Sequence, residues 1–224
     1  MLVSMGADEG TTGGGDDRPK VAGIVLTGGQ SRRMGFDKAL LEVGGTPSAV
    51  RIGRLLRQVT VAAVEVGPGR SGLGALHEDP PGSGPLVALV AGASALRASG
   101  YEGPVLVVAC DLPGLTGRVL TMLATWPGPA SVVPVVAGQP QLLCARWSPG
   151  ALASAAALVV SGERAMRSLL AAPGPEGVEL PGPDRWEPEV DERAFADADT
   201  PDDLDRLGIA RRPRPEPSGE AALP

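Results

Sequence analysis

The stretch from Thr27 to Lys38 reads T-G-G-Q-S-R-R-M-G-F-D-K and follows the apolar run Val21-Ala22-Gly23-Ile24-Val25-Leu26. A short β-branched run ending in adjacent glycines predicts a buried strand whose backbone then turns sharply, presenting N–H groups to an anion. Arg32, Arg33 and Lys38 add cations to the same loop, so main-chain donors and side-chain charge can converge on a polyphosphate. This cluster stands against a formal net charge of −6. Of twenty Lys plus Arg residues only Lys20 and Lys38 are lysine, and the chain has no asparagine, a composition that points to GC-rich codons. A lysine kept where arginine is the default fits a site that needs a compact ammonium between crowded phosphate oxygens.

The loop has neither the G-x-x-x-x-G-K-[ST] spacing of a Walker loop nor G-x-G-x-x-G, so neither of those nucleotide folds is expected. Asp111 ends the apolar run Val105-Leu106-Val107-Val108-Ala109-Cys110. A carboxylate there caps the following turn or, opposite a phosphate loop, supplies an oxygen ligand to the hard divalent ion that nucleotidyl transfer requires. Glu78-Asp79-Pro80-Pro81-Gly82-Ser83-Gly84-Pro85-Leu86 is a Pro/Gly loop that alone reads as a rigid connector. His77 is the only histidine and has no Cys, Ser or second His in a catalytic pattern, so it stays outside the chemistry.

Gly28, Gly29, Ser31, Arg33, Met34, Gly35, Asp37 and Lys38 fill all eight fixed positions of G-G-x-S-x-R-M-G-x-D-K, the signature of the MobA-like nucleotidyltransferases, which the chain resembles from about Val21 to Leu207. The resemblance implies that Leu26, Thr27, Gly28 and Gly29 form the nucleotide loop and that Arg33 and Lys38 bind phosphates. Asp79, in a D-x-x-P-G-x-G-P-L stretch, contacts the nucleoside, and Asp111, in C-D-x-P, holds Mg²⁺, with Mn²⁺ as the alternative ion. Catalysis is then carried by Arg33, Lys38 and Asp111. Guanylyl-transferring members read L-A-G-G where cytidylyl-transferring members read L-A-A-G, and Leu26-Thr27-Gly28-Gly29 sides with guanine. The implied reaction is transfer of GMP from GTP to molybdopterin, giving the guanine dinucleotide cofactor and pyrophosphate. The alternatives are cytidylyl transfer to the same pterin, guanylyl transfer to another phosphorylated acceptor such as phospholactate, and nucleotide binding without catalysis. One departure bears on the acceptor: guanylyl members commonly carry N-x-N-T-P where this chain has Asp197-Ala198-Asp199-Thr200-Pro201. Gln139-Pro140-Gln141 and Gly162-Glu163-Arg164 resemble family stretches on the acceptor side. The implied partners are the two small substrates and transient contacts with molybdenum cofactor biosynthesis proteins or molybdoenzymes, with no nucleic acid or membrane.

The elements that must position these residues alternate as an open α/β fold requires. Strands are expected at Val21–Leu26, Thr60–Val66, Val105–Cys110, Ser131–Val136 and Gln141–Ala145. Helices are expected at Ser48–Gln58, Pro85–Arg97, Thr116–Thr125, Pro149–Val160 and Arg164–Ala171, and Thr200-Pro201 with two following acids reads as a helix start. The fold class is therefore three-layer, Rossmann-like α/β with a mostly parallel sheet, which the resemblance makes one of the nucleotide-diphospho-sugar transferase type. Ligands of such sheets sit at the carboxyl ends of the strands, where the glycine loop and Asp111 both fall. The 224 residues, 43% of them hydrophobic, suit one catalytic domain over residues 20–209. The Gly-rich stretch 1–19 and the Pro-rich stretch 210–224 read as disordered tails. No apolar run approaches a membrane span and no leader pattern opens the chain, so a cytoplasmic protein is expected. Cys110 and Cys144 read as buried structural thiols.

Overall fold

Two apolar strands side by side set the frame. In the computed structural model, which describes residues 19–28, 38–188, 190–198 and 201–208, β1 (Ala22–Leu26) pairs in parallel with β6 (Val105–Ala109) in strict register, Ala22 opposite Val105 through Leu26 opposite Ala109. Both strands are apolar on both faces because each face is covered. Val25, Leu106 and Val108 point into one core layer, and Ala22, Ile24, Leu26, Val105 and Val107 point into the other.

The intervening elements are β2 (Glu42–Val43), β3 (Thr46–Pro47), α1 (Ser48–Val59), β4 (Ala62–Val66), β5 (Gly74–Leu76) and α2 (Pro85–Ala98). After β6 come α3 (Gly117–Thr125), β7 (Ser131–Val132), β8 (Val135–Val136), β9 (Gln139–Pro140), β10 (Cys144–Trp147), α4 (Pro149–Val160), α5 (Ser168–Ala171), β11 (Val178–Glu179) and α6 (Pro201–Arg206). Among the described residues the main sheet has seven strands in the order β11-β7-β10-β6-β1-β4-β5. All its pairings are parallel except those of β10, which runs antiparallel to both β6 and β7. Helices α1 and α3 pack one face through Ile52, Leu56, Val119 and Leu123, while α2 and α4 pack the other through Leu86, Leu89, Ala151 and Ala155. Each such fully buried leucine or isoleucine is worth about 2 kcal/mol of transfer free energy. Sheet and helices make the three-layer α/β architecture expected from sequence.

The boundaries differ from expectation at four places, each with a local cause. Thr60 closes α1, donating from its amide and its hydroxyl to the Leu56 carbonyl at 2.9 and 2.8 Å, so the strand begins at Ala62. The expected strand Ser131–Val136 is split at Pro134, which has no N–H to give: β7 stays in the main sheet and β8 turns away to pair with β9. Gln141 to Leu143 form a turn, with the Cys144 amide bonded to the Gln141 carbonyl at 3.1 Å, and the strand runs instead from Cys144 to Trp147. The expected helix Arg164–Ala171 shortens to Ser168–Ala171. The Glu163 carboxylate takes the amides of Arg164 and Ala165 at 2.7 and 3.0 Å, and the Arg164 carbonyl accepts from Leu86 at 3.3 Å, so those groups are spent outside a helix. Residues 1–18 and 210–224 of the expected tails lie outside the described residues. Among the described residues no helix is long and apolar enough to cross a membrane.

Candidate active site

The parallel strands β1, β4, β5 and β6 end at one edge of the sheet, and the loops after them form the candidate site. Beyond β1, the Thr27 and Gly28 amides both donate to the Val66 carbonyl, at 3.1 and 3.4 Å. Gly67, at φ 147°, lets β4 come this close: a β carbon there would stand 2.1 Å from Thr27 Oγ1. Thr27 and Gly28 are thus laid against the end of β4, with Gly28 itself exposed.

Beneath it lies Glu65, which is completely buried. Its carboxylate accepts from the Thr27 hydroxyl, from the amides of Gly69, Arg70 and Ser71 at 2.7 Å each, and from the Ser71 hydroxyl at 2.6 Å. Burial pushes the Glu65 carboxyl up, but the hydroxyls of Ser71 and Thr27 and the amides of Ser71 and Arg70 outweigh it and hold it below its ordinary value. One anion therefore ties the first residue of the glycine loop to the whole turn after β4. Sequence reading missed this residue, because a glutamate within Ala62-Ala63-Val64-Glu65-Val66 looks like the solvent side of an alternating strand. The signal was the adjoining small-residue turn Gly67-Pro68-Gly69-Arg70-Ser71, whose amides a buried carboxylate can collect.

In the Pro/Gly loop after β5, Asp79 is exposed and joined to Pro80 by a cis peptide, whereas its neighbour Glu78 is buried at 7% exposure. Glu78 Oε1 accepts from the Gly82 amide at 2.8 Å and lies 3.9 Å from where a β carbon on Gly28 would stand. Glu78 is the acid between the two loops, a second residue that sequence reading passed over in favour of the one beside it.

After β6, Asp111 is half-buried and lines a cavity of about 480 Å³ together with Gln139, Gln141, Phe195 and Asp197. The segment 191–198 crosses over it, and the Ala198 amide donates to the Asp111 carbonyl at 3.0 Å. From the other side, α1 holds the same turn. Ser48 Oγ donates to the Cys110 carbonyl at 2.7 Å, Arg51 Nη1 to Leu115 at 2.5 Å, and Arg51 Nη2 to the carbonyls of Pro113 and Leu112. Burial pulls the Arg51 guanidinium below its ordinary value. Asp111 and Asp197 bring hard carboxylate oxygens to one cavity. Among the described residues no group of three or more His, Cys, Asp or Glu is arranged for a metal, but an ion carried in on nucleotide phosphates needs only one or two carboxylates, so the donor set fits.

Of the residues singled out in the sequence, Leu26, Thr27, Gly28 and Asp111 come to this one edge through the β1–β6 register, and Asp79 stands in the loop after β5 on the same edge. Gly29, Arg33 and Asp199 lie outside the described residues. The backbone of Lys38 opens a short 3₁₀ turn, Lys38–Leu40, that leads towards α1; its side chain is not described. Cys110 and Cys144 are both buried and neither is in a disulfide, and burial pushes the Cys144 thiol up to about 12, as expected of an inert core thiol.

Residues 23–178 match the model of the MobA-like NTP transferase domain. The chain is 32% identical over 193 residues to the molybdenum cofactor guanylyltransferase of Rhodobacter capsulatus, a match covering 84% of this chain and 94% of that protein. It is 35% identical over 165 residues to the probable molybdenum cofactor guanylyltransferase of Mycobacterium tuberculosis, covering 69% of this chain and 81% of that one. Among solved structures it is similar to the molybdopterin-guanine dinucleotide biosynthesis protein A of Archaeoglobus fulgidus, with a TM-score of 0.66 at 22% identity over 84% of this chain and 96% of that chain. The fold is of the nucleotide-diphospho-sugar transferase type.

Proposed function

We propose, for a nucleotidyltransferase that belongs to the MobA-like NTP transferase family, that the reaction is transfer of GMP from GTP to the terminal phosphate of molybdopterin, with release of pyrophosphate. Support comes from the relatives named as guanylyltransferases and from Leu26-Thr27-Gly28-Gly29, the guanylyl form of the loop. The observation that carries the proposal is the strand register that sets Gly28 and Asp111 at the ends of adjacent strands, with the Gln139/Gln141/Phe195/Asp197 cavity opening on the Asp111 side.

In this reading Thr27, Gly28 and Gly29 supply the nucleotide loop, whose Thr27 and Gly28 amides are themselves bonded to the Val66 carbonyl, and Asp79 lines the nucleoside pocket. Arg33 and Lys38 neutralise the phosphates, and Asp111 holds the nucleotide's divalent ion, Mg²⁺ or Mn²⁺. That ion, when bound, stabilises charge between the α-phosphate and the departing pyrophosphate. The acceptor phosphate attacks the α-phosphorus, the bond to pyrophosphate breaks, and no covalent enzyme intermediate is needed. The protein contributes alignment and charge neutralisation. The acceptor's place is the 480 Å³ cavity, large enough for a fused-ring head group.

Incubating the purified protein with molybdopterin and each nucleoside triphosphate, then identifying the dinucleotide by mass, tests the reading. The guanine dinucleotide is the expected product. GTP is expected to bind much better than CTP in the presence of Mg²⁺, because a second glycine leaves room for a purine against the backbone. Equal or tighter CTP binding would remove the base assignment. A second reading, guanylyl transfer to a different phosphorylated acceptor, is favoured by Asp197, an exposed acid on the cavity where guanylyl members commonly carry Asn. Product formation with phospholactate but not with molybdopterin would establish it.

A further inference from the structure

We propose that Arg51 is a positioning residue that fixes the Asp111 carboxylate for the nucleotide-bound metal by gripping the carbonyls of the turn that carries it. The inference rests on the metal role of Asp111 proposed above. The turn Cys110–Leu115 is held from two sides. On the α1 side, Ser48 takes the Cys110 carbonyl and the single fork of Arg51 takes those of Leu112, Pro113 and Leu115. On the other side, Ala198 takes the Asp111 carbonyl, and Gly114 lies so close to the crossing segment that a β carbon would stand 2.6 Å from the Arg193 carbonyl. Residues on both sides of Asp111 are thereby pinned.

The chemistry of the grip is specific to arginine. One planar guanidinium offers donors in a fixed fork that can span three carbonyls, whereas an ammonium on a flexible stem cannot hold all three at once. The bonds described for Arg51 all go to neutral main-chain oxygens, and its Nε is buried with no hydrogen-bond partner among the described residues. A half-buried guanidinium still loses part of its hydration, and the geometry that offsets that loss is the one it makes with the loop it holds. The helix that carries it is also the continuation of the signature loop: the Ser48 amide donates to the Leu41 carbonyl at 2.7 Å, just after the turn that begins at Lys38. The stretch Ser48–Arg51 thus bonds both to the segment that follows Lys38 and to the Asp111 turn.

The test is calorimetric titration of GTP into the full chain with and without Mg²⁺, with no acceptor present and hence no turnover. The ratio of the two affinities is the contribution of the metal. Asp111→Asn is expected to abolish that contribution. Arg51→Met, which keeps the aliphatic stem, is expected to reduce it by roughly tenfold, the size of effect seen when a ligand-orienting partner is lost. Arg51→Lys should fall between Met and wild type, and Ser48→Ala should show a smaller loss. Thermal unfolding provides the fold control, and should Arg51→Met fail to fold, the Lys and Ser48→Ala variants carry the same comparison. Folded Arg51 variants with a lower melting temperature but an unchanged Mg²⁺ contribution would show a purely structural arginine and overturn the inference alone. A retained Mg²⁺ contribution in Asp111→Asn would overturn the metal reading and, with it, this inference.

Discussion

The two halves of the candidate site are secured by charges of opposite sign, a fully buried Glu65 and a half-buried Arg51. On the nucleotide side the anion of Glu65 gathers amides and hydroxyls from Thr27 and from Gly69 to Ser71; on the Asp111 side the cation of Arg51 gathers the carbonyls of Leu112, Pro113 and Leu115. In both, main-chain dipoles compensate the charge. A loop whose amides point inward needs an acid beneath it, and a loop whose carbonyls point inward needs a base. The sign of the anchor is set by which face the backbone turns to the core.

The largest effect is expected on the Arg51 side. Asp111→Asn should lower pyrophosphate release by roughly 10²–10³ while leaving circular dichroism unchanged, since the amide keeps the shape but not the anionic ligand. Near-normal turnover by the folded variant would reduce Asp111 to a turn cap and remove the main argument for catalysis over mere binding. Lys38→Ala should show a comparable loss, poorly rescued by Arg because its fork is wider than an ammonium.

Next in size is Glu65→Ala, which strands buried donors and should cost about 3 kcal/mol or more, with the melting temperature falling by roughly 6–12 °C. A fall of a degree or two would show that water or a rearranged loop replaces the carboxylate.

The two anchors should also separate by pH. The folded-state pKa of Glu65 is held below its ordinary value of 4.5, so its contribution is present above that value and is lost as pH falls through the lowered one. The difference in unfolding free energy between wild type and Glu65→Gln should therefore shrink on acidification, by at most about 1.4 kcal/mol per pH unit. Urea melts between about pH 3 and pH 6 would show it. Smallest of all, Arg51→Met should leave the acid slope of the wild type unchanged, because a guanidinium does not titrate in that range. A changed slope would mean that a carboxylate depends on Arg51, contrary to the carbonyl-only grip.

How far this arrangement was legible in the sequence depended on whether it was local. Strands β1 and β6 announce themselves as bounded apolar runs, α2 and α4 begin with Pro85 and Pro149, and the glycine loop has a fixed spacing, so the fold and Asp111 could be read directly. The anchors could not. Glu65 contacts Thr27 across 38 positions and Arg51 contacts Leu115 across 64, and nothing in either local pattern says which loop will turn its amides or carbonyls inward. Glu78 was obscured by Asp79, since two adjacent acids are alike in a sequence and only the chain's path buries one of them. Arg164 was misread as helical because the competing acceptor, Glu163, is its own neighbour.

The reversed direction of β10 also separates the two substrates' walls in the chain. The nucleotide half is built from loops that leave parallel strands, but β10 enters the sheet at that same edge, so Gln139 to Leu143, which precede it, line the cavity beside Asp111. That wall is fed by the small β8–β9 hairpin, which forms a two-stranded sheet of its own and is tied to the Pro181 carbonyl through the Val135 amide at 2.9 Å. Insertions or exchanges between Val135 and Pro140 should therefore reshape the acceptor pocket while the GTP-binding loops keep their anchors, an arrangement that would let one nucleotide-activating frame diversify by grafting a few residues at a single place.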